Sequence, residues 1–241
     1  MKTAQSFHFT KGVILYPLGL VTIIWLVFWT ELHFELNLTP YGIFPRRLSG
    51  LLGILCSPFI HGSLSHLYQN TIPLLVLSMA LTYFYKSVAL RVFFLGIIFS
   101  GLLTWCIGSP AYHIGASGYI YVLMSFLLFK GFFSNHFRLI ALSLLVVFLY
   151  GGMIWFIFPL KENMSWEGHF SGFITGLCFV FWFQKDIPKP ASYNWQRPDF
   201  DESSDPFLKH FDDNGNFIEI SDKASHSDNR HKVQYHYNQE E

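Results

Sequence analysis

Charge is what this sequence has least of. Only 13% of its 241 residues are Asp, Glu, Lys or Arg, while 51% are hydrophobic and 19% aromatic; an average soluble domain carries about 25% charged residues. That balance excludes an ordinary soluble chain and points to lipid. Cysteine is nearly absent too. Cys56, Cys106 and Cys178 sit singly inside apolar runs, which excludes a disulfide framework or a thiolate metal site and reads as three small buried hydrophobes. No small-residue cleavage site follows the first apolar run, so that run is expected to stay as an anchor. The last fifty or so residues lack any long apolar period, and their Asp212 to Gly215 stretch lacks the alternating ligands and distal glutamate of an EF-hand. A turn ahead of a short strand-like Phe217 to Ile220 is the reading there.

What charge there is has a pattern. Residues 1–184 hold nine Lys or Arg against four Asp or Glu, and residues 185–241 hold seven against twelve. The expected organisation is a short N-terminus (1–11), an apolar membrane domain (12–184) and a polar, acidic tail (185–241) that is largely disordered. A bilayer core of about 30 Å requires roughly 20 apolar helical residues. Six stretches qualify, near 12–30, 66–85, 92–111, 115–133, 138–158 and 168–184, which predicts an all-α polytopic protein with both termini on one side. Lys2, Lys11, Lys86, Arg91, Lys130, Arg138, Lys185 and Lys189 fall on one set of flanks, against Arg46, Arg47 and Lys161 on the other. The positive-inside rule then makes the termini cytoplasmic. The long segment from Glu31 to Ser65 lies outside, with Leu48 to Ile60 too short to span and expected to dip into the outer interface.

Three polar constellations interrupt the apolar runs. His66 and Asn70, four apart, share a face at the start of the second span. As an isolated pair they read as an interfacial histidine and an asparagine joining two helices. Gly115, Ala116, Ser117 and Gly118 open the fourth span, where glycine permits tight approach and backbone N–H groups free to face a ligand. This is not the Gly-x-Ser-x-Gly elbow of soluble hydrolases, and small residues also serve plain helix packing. His169, Gly172 and Gly176 open the sixth span at i, i+3 and i+7, a histidine above a strip cleared of side chains. In this topology all three constellations begin outside-to-inside spans and reach one outer level. Their types are complementary: a hydroxyl nucleophile, an imidazole base, and donors for an oxyanion.

In that order and on those spans, His66-x-x-x-Asn70, Gly115-Ala116-Ser117-Gly118 and His169-x-x-Gly172-x-x-x-Gly176 resemble a rhomboid intramembrane serine protease over residues 10 to 184. The resemblance implies a six-transmembrane-helix bundle and a Ser-His dyad with no third carboxylate. Ser117 would be the nucleophile and His169 the base. His66, Asn70 and the Ser117 backbone N–H would form the oxyanion site, and the Tyr121 ring would pack on the histidine. It implies no cofactor, no metal and no nucleic acid. Its substrates would be single-pass transmembrane proteins within the lipid bilayer, and its setting a bacterial inner (cell) membrane. Glu167, two residues before His169, points to another helix face and reads as a first-turn charge favoured by the helix dipole. His61 reads as a structural loop contact. Many rhomboids carry a Trp-Arg pair in the first outer loop; here Arg46-Arg47 stands upstream of that place. Two rival readings remain, a catalytically silent rhomboid-like protein that binds membrane clients, and a small transporter or metal binder using His61, His66 and His169. The first would normally lack Ser117 or His169, and the second explains neither the glycines around Ser117 nor Tyr121.

Overall fold

The computed structural model describes residues 7–160, 164–184, 193–212 and 214–219. Among them the chain is helical, with two isolated β-bridges and no strand. Its helices are α1 (Gly12–His33), α2 (Gly53–Cys56), α3 (Leu64–Phe84), α4 (Ala89–Ile107), α5 (Ser117–Phe132), α6 (Phe137–Tyr150) and α7 (Trp166–Trp182). Short 3-10 turns and α2 fill the segment between α1 and α3, and Gly151–Ile157 prolongs α6 as a 3-10 coil. Local chemistry sets the starts of three helices. Ser63, in extended backbone, accepts from the His66 N–H and starts α3. His136 does the same for α6 through Arg138, and Ser165 for α7 through Gly168; each satisfies one of the donors a helix leaves orphaned in its first turn.

The centre of the fold is α5. Eleven of its residues are buried, so it has almost no outward face, and α3, α4, α6 and α7 surround it. Its closest neighbour is α7. A Cβ on Gly172 would collide with the Gly118 carbonyl oxygen and the Tyr121 Cβ, and one on Gly176 with the Ser125 hydroxyl and the Val122 carbonyl. The two backbones therefore touch, as small-residue seams allow in membranes. At the far end of the same pair Lys130, 1% exposed, reaches from the last turn of α5 to the Val180 and Phe183 carbonyls, 3.0 and 2.5 Å away. An ammonium on the orphan carbonyls of a helix C-terminus offsets both its own burial and theirs.

The outer helices turn apolar faces outward. Leu15, Trp29, Phe94, Leu144 and Phe148 are all exposed, and only 22% of the apolar window of Phe137–Ile157 is covered by the rest of the chain. An apolar surface of that extent is compatible with lipid and not with water, so this is a membrane protein. Gly12–His33, Ala89–Ile107 and Phe137–Ile157 are each long and apolar enough to cross. Leu48–Phe59 with Leu64–Phe84, bent by 73° at their break, makes a fourth when taken as one broken span. α5 and α7 have 16 and 17 residues, short of the roughly 20 a full crossing takes. Length and composition alone thus support three to four of the six expected crossings.

Two expectations change. The cysteines are free, but only Cys56 is even half-buried, and Cys106 and Cys178 are exposed; on a lipid-facing helix an apolar side chain has no need of protein cover. The third long helix stops at Ile107, because Gly108 leaves the helical region with ψ at 155° and Pro110 follows two residues later. Lys2, Lys161, Lys185 and Lys189, on which part of the orientation argument rests, lie outside the described residues, as do 185–192 and 220–241 of the tail. Ser192–Glu241 is a separate unit. Its described part forms short 3-10 turns and a Phe211–Phe217 bridge closed over Asp212, whose carboxyl is held below the usual range first by the Asn216 side chain.

The glycine seam yields a direct expectation. Gly176→Ala overpacks the α5–α7 contact and lowers unfolding stability by about 1–3 kcal/mol. Gly19→Ala on α1, where a Cβ meets nothing within 4 Å, leaves it equal or slightly raised. Denaturation in mixed micelles compares the two; equal effects would mean the seam is not close-packed.

Candidate active site

The site begins with how the chain enters α5. Residues 108–116 form a loop tied on every side. Arg46, at φ 57°, donates from Nη1 to the Gly108 and Cys106 carbonyls at 2.8 and 3.2 Å, and its backbone N–H reaches the Trp105 carbonyl. The Trp105 indole N–H answers by donating to the Arg47 carbonyl at 2.9 Å. The arginine therefore occupies the carbonyl end of α4, where a cation is favoured. His113 pairs with Ile43 through two backbone hydrogen bonds, and the Gly115 N–H donates to the Ser57 carbonyl at 2.8 Å. From the other side Glu167, only 4% exposed, accepts from the Ser109 N–H at 2.9 Å. Glu167 is thus a clamp on this loop and not merely a charge at a helix start.

His113 completes the frame. Its Nε2 lies 3.1 Å from the Ser109 carbonyl, which can only accept, so Nε2 carries the proton. Nδ1 is left to accept from the Ser165 hydroxyl, whose oxygen in turn accepts from the Gly168 N–H. The residue that starts α7 is thereby bonded to the loop that starts α5.

Out of this frame comes the pair. Ser117 Oγ stands 3.0 Å from His169 Nε2, across the seam that Gly172 and Gly176 clear. His169 Nδ1 is 2.9 Å from the Phe156 carbonyl. A carbonyl cannot donate, so the proton of the neutral ring sits on Nδ1 and Nε2 faces the serine as an acceptor. The Tyr121 ring lies against the imidazole, centroids 4.4 Å apart and planes 16° from parallel. Its hydroxyl donates to the Met153 carbonyl at 2.7 Å. One 3-10 segment, Gly151–Ile157, thus holds both the imidazole and the ring it rests on.

His66 and Asn70 come to the same place from α3. A Cβ on Gly115 would meet the His66 ring at 2.6 Å and lie 3.7 Å from Asn70 Nδ2, and Gly115 has φ +108°. Glycine is required there twice, by dihedral and by space. Gly118 differs: a Cβ would sit 3.5 Å from the Gly168 carbonyl, an ordinary contact. The Asn70 amide spends one N–H on the His66 carbonyl at 3.0 Å and has a second left over. His61 is buried and meets the His66 ring edge-on at 5.1 Å. α5 has no side-chain cap at Ala116, so its first N–H groups, Ser117's among them, are unpaired by any side chain among the described residues, at the positive end of the helix dipole. A cavity of about 30 Å3, lined by Ser100, Thr104, His113, Ser117 and Ser165 among others, lies beside Ser117; it is polar and large enough for water. Among the described residues no cluster of three metal-ligating side chains occurs.

Sequence reasoning named Ser117, His169, Tyr121, His66, Asn70 and the glycines. It missed the Phe156 carbonyl, because a backbone acceptor leaves no residue signature. It also missed Glu167 and His113 as loop clamps; a carboxylate and an imidazole flanking two apolar helices were the available signal.

The chain matches the family model described as a rhomboid domain over residues 49–185. It is 36% identical over 174 residues to uncharacterized proteins of Mycobacterium tuberculosis (strain H37Rv) and Mycobacterium bovis, an alignment covering 67% of this chain and 72% of each relative. An uncharacterized protein of Mycobacterium leprae is 34% identical over 149 residues, covering 58% of this chain and 59% of the relative.

The clamp at Glu167 can be tested without any assay of activity. Glu167→Ala removes a hydrogen bond to a charged acceptor, about 1.5–3 kcal/mol, and should speed amide exchange across residues 109–115 about tenfold or more. Glu167→Gln keeps an acceptor and should restore most of the protection. Exchange unchanged in the alanine variant would show that the loop is held without it.

Proposed function

The chain belongs to the rhomboid family, and from that premise we propose that it is an intramembrane serine endopeptidase, cutting peptide bonds in or near the transmembrane segments of single-pass membrane proteins. The observation that carries this reading is the 3.0 Å approach of Ser117 Oγ to His169 Nε2 while a carbonyl holds the other ring nitrogen.

A serine hydroxyl is a weak nucleophile until a base takes its proton. In the proposed reaction Ser117 Oγ bonds to the scissile carbonyl carbon as its proton passes to His169 Nε2. The C=O π pair moves onto oxygen as an oxyanion. The imidazolium then donates from both nitrogens, and the Phe156 carbonyl accepts from Nδ1 in place of a carboxylate. The oxyanion faces the Ser117 N–H, the free N–H of Asn70 and the His66 ring; fixed donors of this kind act where charge develops. Collapse breaks the C–N bond, and the amine leaves with the proton from Nε2. Water from the small cavity beside Ser117 attacks the resulting ester, giving its proton to Nε2, and the carboxylic product leaves as Ser117 recovers its hydrogen. The hydroxyl, the imidazole and water suffice for this chemistry without a cofactor.

The topology that suits this reading has α1, α3, α4, α5, α6 and α7 crossing the membrane six times, with α5 and α7 beginning below the outer surface. Their shortness then becomes intelligible, since a water-filled cavity replaces the missing turns. The Lys and Arg flanks put both termini in the cytoplasm. The bacterial sources of the relatives support a cell-membrane location. A polypeptide must be extended to reach a nucleophile, so the favoured substrates are helices that unwind readily at small or helix-breaking residues.

In liposomes holding a model single-pass substrate, Ser117→Ala and His169→Ala should each lower cleavage by about 10⁴-fold or more. Asn70→Ala should cost about 100-fold. Tyr121→Phe keeps the stacked ring and loses one hydrogen bond, so it should stay within about tenfold of wild type. Tyr121→Val frees the imidazole to turn and should cost about 100-fold. Full turnover in a folded Ser117→Ala protein would end the protease reading.

A further inference from the structure

Away from the dyad, a groove of about 410 Å3 opens between α1, α3 and α4, with Tyr119 of α5 also in its lining. α1 packs along α3 and leaves α4 across a gap, and Val13, Pro17, Leu20, Leu81, Leu90 and Phe93 line that gap. Its wall is apolar, but one end is not. Lys86, in the turn joining α3 to α4, lines the mouth and is exposed, and no ion pair engages it among the described residues. Lys11 is exposed beside Thr10 and Gly12, which also line the groove. Residues 7–20 and 78–94, which supply nearly all of the lining, contain Lys11, Lys86 and Arg91 and no Asp or Glu.

Setting and charge together choose an occupant. The groove lies between helices whose outward faces are apolar and exposed to lipid, so hydrocarbon is what stands at its opening. A hydrocarbon chain fits. The mouth, with Lys86 and no Asp or Glu among the described lining residues, then selects a negative headgroup, as basic pockets between membrane helices do. We propose that this groove holds an acyl chain of an anionic phospholipid, whose phosphate is met by the Lys86 ammonium. The bound chain fills the wedge that α1 and α4 leave open, so the lipid joins the first helix to the bundle. This assignment does not depend on the proposed protease chemistry.

Native mass spectrometry of the full-length protein, released from mild detergent after addition of dioleoyl-phosphatidylglycerol or dioleoyl-phosphatidylcholine, tests it. Wild type should retain one phosphatidylglycerol, with a preference over phosphatidylcholine of about fivefold, the value of one lysine at a membrane surface. Lys86→Gln, on an exposed side chain outside the helices, should bring the preference close to one. Leu90→Trp, which fills the groove from an exposed position, should lose both lipids while keeping the thermal transition of wild type. Equal retention of the two lipids by wild type, or a preference that survives Lys86→Gln, would overturn the proposal. So would a folded Leu90→Trp protein that still holds one phosphatidylglycerol.

Discussion

Everything in this molecule depends on how closely α5 and α7 approach. Helices in lipid gain nothing from hiding apolar side chains from one another, because the surrounding hydrocarbon is equally apolar; close backbone contact and polar bonds hold them together instead. Gly172 against the Gly118 carbonyl and Gly176 against the Val122 carbonyl make that contact. Lys130, tied to the last carbonyls of α7, fixes the register from the far end. Only with both in place does a serine oxygen on one helix lie 3.0 Å from an imidazole nitrogen on the other. A larger side chain at Gly172 or Gly176 would press on the backbone of α5 and force the two helices apart.

A second requirement is orientation. Before Asp186 the sequence contains no aspartate, so the imidazole is held by other means, and the means lie in one short coil. Gly151–Ile157 offers the Phe156 carbonyl to His169 Nδ1 and the Met153 carbonyl to the Tyr121 hydroxyl. A backbone acceptor fixes the tautomer as a carboxylate would, without burying a formal charge in a low-dielectric interior. In the proposed reaction the charge on the imidazole is transient, which suits a ring whose hydrogen-bond partner is a carbonyl and not a carboxylate. The loop before Ser117 is fixed with comparable redundancy by Arg46, Glu167, His113 and Ser165. These clamps come from three separate parts of the chain, the loop itself among them, so the loop's backbone can hold the positive φ of Gly115.

How much of this the sequence disclosed follows from the kind of interaction involved. Periodicity on a helix is legible, so Ser117 with Tyr121, His66 with Asn70, and His169 with Gly172 and Gly176 could be paired by spacing alone. The glycine at position 115 is legible as a special backbone site, whereas the similar-looking Gly118 turns out to have room for a side chain. Backbone acceptors are illegible in principle, which hid Phe156 and Met153. Glu167 is the first-turn charge expected of it, but its bond to the loop stayed hidden for a related reason: its partner is the Ser109 N–H, a group that every residue but proline owns. The cysteines and the span count mark the limit of hydropathy. An apolar residue in a membrane helix faces lipid or protein with equal ease, and α5 and α7 are too short for a length rule to count.

The most direct test of the central claim is to find out whether Ser117 is chemically activated by His169. Full-length protein in liposomes would be treated with a fluorophosphonate and the adduct mapped by peptide mass spectrometry. The account predicts modification at Ser117 and nowhere else, abolished by His169→Ala while the protein keeps its helical content. An adduct on a different residue, or labelling of Ser117 that persists at the same rate without the imidazole, would contradict it.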